Sequence, residues 1–84
     1  MYPKKKFDVT LQIVNDKMYL MKQNLCFEIN DITVEIWELI NGERSLDEIA
    51  KKISDIYRIS YDQVYRDVEI CINDFRTYNL ITIT

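Results

Sequence analysis

Eighty-four residues, 48% hydrophobic and 30% charged, describe one small domain, with about 60–65% of its unfolded surface buried on folding. Histidine is absent, and glycine and proline occur once each. This removes the commonest general base and metal ligand and leaves no room for a Gly-rich phosphate loop, so a binding module is expected rather than an enzyme. The net charge of −3 is uneven: residues 1–24 hold five lysines against two aspartates, net +3, and residues 25–84 hold six basic against twelve acidic residues, net −6.

In chain order, Lys4, Lys5 and Lys6 come first. They read either as a phosphate or partner contact or as a solvated, frayed terminus, and the frayed terminus is the expectation. Val9, Leu11 and Ile13 alternate with Thr10 and Gln12, a period-2 pattern that predicts a strand. Asn15-Asp16-Lys17 marks a turn, Met18 to Lys22 returns as a second strand, and Gln23-Asn24 is a second polar break. Leu25, Phe27 and Ile29 then alternate with Cys26 and Glu28 as a third strand, completing an antiparallel meander.

At Asn30 the period changes. Asn30 or Asp31 caps a helix with Ile32, Ile36, Leu39 and Ile40 on one stripe and Trp37 beside it as a core aromatic, and Asn41-Gly42 stops it. Ser45-Leu46-Asp47-Glu48 is a capping box, and the helix behind it is expected to bury Leu46, Ile49, Ala50, Ile53 and Ile56. Ser60 and Gln63 repeat the box and open a longer helix with Val64, Val68, Cys71, Ile72 and Phe75 on one face. The Ser60 cap also interrupts the four-residue spacing of Tyr57, Tyr61 and Tyr65. Asn79 ends this helix, and Leu80 to Thr84 is a short extended tail. The expected domain spans 1–84, with strands in about 7–29 and helices in about 31–79: an α+β, winged helix-turn-helix-like arrangement of a three-stranded antiparallel sheet followed by three helices.

Two walls of a candidate site follow. If the middle strand lies between the other two, the third strand, Leu25-Cys26-Phe27-Glu28-Ile29, is an edge with an open row of backbone groups, short, apolar and free of proline. Such an edge either accepts an added peptide strand or is covered by the protein's own third helix. On that helix Val64, Val68, Cys71 and Phe75 define the core-facing centre; Asp67, Cys71, Asp74 and Tyr78 form one flank, and Tyr65, Ile72 and Arg76 the other. Either flank can face a groove beside the third strand. An unfilled edge can also pair with its own copy, so a monomer and an edge-paired homodimer both remain open.

Other chemistries are poorly served. Cys26 and Cys71 are too few for a four-ligand zinc site and are expected as reduced, buried, small apolar residues, with no disulfide. Ser45 and Ser60 are caps without a base to activate them. No metal or cofactor is expected. No apolar run approaches the ~18 residues of a membrane helix, and Met1-Tyr2-Pro3-Lys4 lacks the apolar stretch of a signal peptide; the expected location is cytoplasmic. A winged-helix outline also serves DNA-binding transcriptional regulators. Residues 61–79, however, set Arg66 and Arg76 against Asp62, Asp67, Glu69 and Asp74, net −2, which disfavours nucleic acid.

The stretch from Phe27 to Ile81 resembles the PqqD family and the related precursor-peptide recognition elements of ribosomal peptide natural-product (RiPP) pathways. The resemblance is carried by Phe27-Glu28-Ile29-Asn30, Ile36-Trp37-Glu38-Leu39-Ile40-Asn41-Gly42, Ser45-Leu46-Asp47-Glu48-Ile49-Ala50, Ile56-Tyr57, Val64, Asp67-Val68, Cys71-Ile72, Phe75 and Leu80-Ile81. It implies a non-catalytic module that binds the leader of a precursor peptide as a strand added to the third strand, in the groove against the third helix. It also implies delivery to a modifying or processing enzyme such as a radical S-adenosylmethionine enzyme, a cyclodehydratase or a lasso-peptide protease. Carried onto this chain, the peptide-binding positions are Leu25, Cys26, Phe27, Glu28, Ile29, Asp67, Val68, Cys71, Asp74, Phe75 and Tyr78. Two departures stand out: Ile32-Thr33 replaces the family's usual alanine pair after the Asn, and Asn79 replaces the glycine near the end.

Overall fold

A computed structural model describes residues 1–84 as β1 (Pro3–Lys5), β2 (Thr10–Val14), β3 (Lys17–Lys22), β4 (Leu25–Ile29), α1 (Asp31–Leu39), α2 (Leu46–Tyr57), α3 (Tyr61–Thr77) and β5 (Ile81–Ile83). The expected meander is present as an antiparallel sheet in the order β2-β3-β4. Its turns follow from backbone conformation. Val14 pairs with Lys17 across Asn15 and Asp16, whose φ angles of 51° and 64° give the I′-type turn that matches strand twist. Lys22 pairs with Leu25 across Gln23-Asn24, with Gln23 at φ 53°.

Register decides which side chains meet the core. Leu20 stands opposite Leu11 on one side and Phe27 on the other, and it is wholly buried. Its face of the sheet is therefore the inner one, worth about 1.5–3 kcal/mol for burying a leucine of this kind. Cys26 and Glu28 alternate onto the outer face, so the expectation of a buried Cys26 fails; it is exposed.

The helices start on their predicted caps. Asn30 Oδ1 accepts the Thr33 N–H at 2.9 Å, and Ser45 and Glu48 form the full reciprocal box. Ser60 makes only half of its box: its Oγ accepts the Gln63 N–H at 3.4 Å, and no Gln63 side-chain bond returns. Ile36, Trp37 and Ile40 from α1 and its cap, Ile49, Ala50 and Ile53 from α2, and Val64, Val68, Ile72 and Phe75 from α3 form one core with Leu20, Leu80 and Ile81. Ile56 departs from the expected stripe and is 58% exposed, because the last turn of α2 runs past the edge of this core before Arg58 turns off at φ 54°.

The termini correct the expectation of a frayed lysine segment. β1 pairs antiparallel with β5 in a second, two-stranded sheet, Pro3 opposite Ile83 and Lys5 opposite Ile81. Pro3 is buried and its carbonyl accepts the Gly42 N–H at 2.9 Å. Gly42 (φ 81°) is thus a crossing point for β1 as well as a helix stop; a Cβ there would sit 3.4 Å from the Lys4 stem. The Lys5 ammonium lies 5.6 Å from the Trp37 ring centre. The pairing joins segments some 80 residues apart, so no local pattern announced it.

Tyr61, at the start of α3, donates its hydroxyl to Asp47 at the start of α2. That bond, helped by Lys51, lowers the Asp47 carboxyl below its ordinary value, and it is the main reason the Tyr61 phenol is pushed up to about 12. A phenol raised on folding adds stability that is fully present below its unfolded value of about 10 and disappears as pH rises towards 12. Urea denaturation between pH 9 and 12 is expected to show a steeper loss for the wild type than for Tyr61→Phe, in which that titration is gone. Parallel curves would show that the bond does not form.

Candidate functional site

β4 is the edge of its sheet and no strand lies on its far side. The pair that closes a two-residue hairpin, here Lys22 and Leu25, exchanges both backbone bonds, and the pattern alternates along the strand. Leu25, Phe27 and Ile29 therefore turn their N–H and C=O groups towards β3, whereas Cys26 and Glu28 turn theirs outward. Two free donors and two free acceptors stand along an apolar strand, the pattern that accepts an added strand.

Below this edge, a cavity of about 260 Å³ opens between β4 and the C-terminal half of α3. Phe27 and Ile29 form one wall, Cys71, Asp74 and Tyr78 the other, and Leu20, Phe75 and Leu80 lie at its apolar base. Asn30 and Thr33 close one end. The rings of Phe27 and Tyr78 meet with centroids 4.6 Å apart, tilted by 47°.

One polar contact ties the end of α3 to the sheet. Lys22 donates its ammonium to the Asn79 carbonyl at 2.6 Å, placing a cation at the helix C-terminus. The helix itself ends in a Schellman motif: Leu80 N–H to Phe75 C=O at 2.8 Å and Asn79 N–H to Arg76 C=O at 3.0 Å. Asn79 sits at φ 59°. It therefore takes the left-handed position that glycine would fill, and the departure at this residue leaves the geometry intact.

Burial pushes the Cys71 thiol up to about 11, Asp74 and Asp67 push the same way, and a hydrogen bond with Thr33 opposes them. At neutral pH the group is a neutral thiol, part of the apolar wall. Titration with a thiol-reactive disulfide at pH 8 is expected to modify exposed Cys26 rapidly and Cys71 at least about tenfold more slowly, since the thiolate is the nucleophile. Equal rates would mean that the cavity wall opens freely.

Of the expected site residues, Phe27, Glu28, Ile29, Cys71, Asp74, Phe75 and Tyr78 meet at this cavity, which also identifies the flank of α3 that faces it. Leu25 lies at the hairpin end, 48% exposed, and Cys26 is on the outer sheet face. Val68 is wholly buried, does not line the cavity, and holds α3 on the core. Asp67 is exposed one turn before Cys71 on the same flank and does not line the cavity. Asn30, Thr33, Leu20 and Leu80 were not anticipated. They arrive from three other segments, and only the Asn30 cap carried a local signal.

The family model described as coenzyme PQQ synthesis protein D (PqqD) matches residues 12–81. The chain belongs to the PqqD family. Solved structures share the fold. A chain of TbiB1 in complex with the TbiA(beta) leader peptide superposes with a TM-score of 0.78 at 20% identity, covering 93% of this chain and 93% of that one. The PqqD truncation of Methylobacterium extorquens PqqCD, a functional and stand-alone RiPP recognition element, gives 0.81 at 17% identity over 95% of this chain and 87% of that one. Lasso peptide synthetase B1 complexed with the leader peptide gives 0.82 at 12% identity over 98% and 99%. No curated protein matches significantly by sequence. This PqqD-family chain carries the β4 edge and the α3 cavity side by side.

Proposed function

We propose that this PqqD-family domain is a non-catalytic module that captures the leader of a ribosomally made precursor peptide and presents it to a modifying enzyme in RiPP biosynthesis. The observation that carries the reading is the open β4 edge directly above an apolar cavity. Outward N–H and C=O groups at Cys26 and Glu28 supply sequence-independent affinity, and the cavity reads alternate side chains. Family membership supports it, as does the fold shared with two structures solved with leader peptides bound. In this reading Leu25 to Ile29 form the pairing strand, Cys71, Asp74, Phe75 and Tyr78 form the opposite wall, and Asp67 stands at the groove's extension. The enzyme receiving the peptide is of the radical S-adenosylmethionine, cyclodehydratase or lasso-peptide protease kind, and the complex works in the cytoplasm.

The DNA alternative gains nothing from the geometry, because the outward surface of α3 is net acidic. The test is a titration with the leader segment of a precursor encoded beside this protein. Saturable binding below ~100 μM, about −5.5 kcal/mol, is expected; its absence sinks the reading, and a salt-sensitive shift of random duplex DNA would revive the alternative.

A further inference from the structure

The groove carries charge of one sign only. Asp74 lines it, and its carboxylate takes part in neither of the two ion pairs the chain makes. The Glu28 side chain alternates onto the outer face of β4, and no lysine or arginine lines the cavity. The nearby ammonium of Lys22 is already committed to the Asn79 carbonyl and lies 3.9 Å from Asp8. Asp74 also precedes Tyr78 by one helical turn, and the Tyr78 ring packs on Phe27 at 4.6 Å. An unpaired carboxylate beside two aromatic rings and an apolar cleft is the chemistry that holds a long cationic side chain. The aliphatic stem lies along the rings, the head is attracted to their faces, and the carboxylate accepts its hydrogen bonds.

A strand added to β4 alternates its side chains, every second one entering the cavity beside Phe27 and Ile29. Building on the strand-capture reading above, we propose that the groove selects peptides with a lysine or arginine at the inward position nearest Asp74. Apolar residues stand two positions away on either side of it. Asp74 is the specificity-determining residue, and Glu28 favours a second basic residue on the outer face, as a cross-strand partner.

The experiment uses the full chain and an array of synthetic decapeptides. Lysine, arginine, leucine or glutamate is fixed at each position in turn, and the best sequences are remeasured singly by fluorescence polarisation. One position is expected to favour lysine or arginine over glutamate by about tenfold or more. In Asp74→Asn that ratio falls below about threefold, while the leucine preference two residues away persists, and raising salt from 50 to 500 mM shrinks the wild-type ratio. A wild type indifferent to charge, or a basic preference unchanged in Asp74→Asn, overturns the proposal while leaving strand capture standing. If neither protein retains any peptide from the array and the leader titration also fails, strand capture itself is overturned.

Discussion

Replacing Cys26 with proline is expected to weaken leader binding by about 5- to 150-fold and leave the domain folded. The Cys26 N–H points away from β3, so proline breaks no bond of the existing sheet, and an edge strand tolerates it. What is lost is the donor offered to the incoming strand, which leaves the peptide's carbonyl unpaired at a cost of about 1–3 kcal/mol. The measurement is a parallel titration of wild type and variant with one leader peptide, with circular dichroism confirming the fold. Full affinity in a folded Cys26→Pro variant rules out pairing along β4 in this register, whatever else the groove contacts.

The second large effect is on stability. Trp37 is 3% exposed, meets Phe75 edge to face with centroids 5.4 Å apart, and lies under the Lys5 ammonium. Truncating such a residue costs about 3–5 kcal/mol. A domain of this length has about 4–13 kcal/mol in total. Trp37→Ala is therefore expected to lower the melting temperature by at least about 12 °C. Because Phe75 lines the cavity and leans on Trp37, the variant also loosens the groove base and weakens binding. A Trp37→Ala protein that melts like wild type would assign the indole to the surface, as a stacking platform, and would contradict the packing described above.

What the sequence made legible divides along physical lines. Elements whose information is local were readable: the alternation of Leu25, Phe27 and Ile29, the Ser45–Glu48 box, the stripe of Val64, Val68, Ile72 and Phe75. The third strand's place at the sheet edge followed from the meander alone. Features that depend on distant partners were not. Lys4 to Lys6 look like a loose basic end until Ile81 to Ile83 are laid beside them, and nothing near either segment names the other. The groove shows the same limit. Helical periodicity places Asp67, Cys71, Asp74 and Tyr78 on one flank but gives no length for the cleft, and the cavity stops a turn short of Asp67. Val68 illustrates a different confusion. A residue at the centre of a helix's buried stripe and one at its groove margin share the same apolar chemistry, and only packing separates them.

Only 14 of the 84 residues are buried, and the domain measures 17 Å along its thinnest axis. In the proposed mode a bound leader adds a fourth strand to the meander and fills the cleft beneath it, so occupancy feeds directly into resistance to unfolding. At a leader concentration a hundred times the dissociation constant the gain is about 2.7 kcal/mol, a large share of what so thin a core provides. The lifetime of the carrier in a cell then tracks its cargo: molecules without a precursor open more often and meet proteases first, and the pool of this module shrinks when precursor synthesis stops.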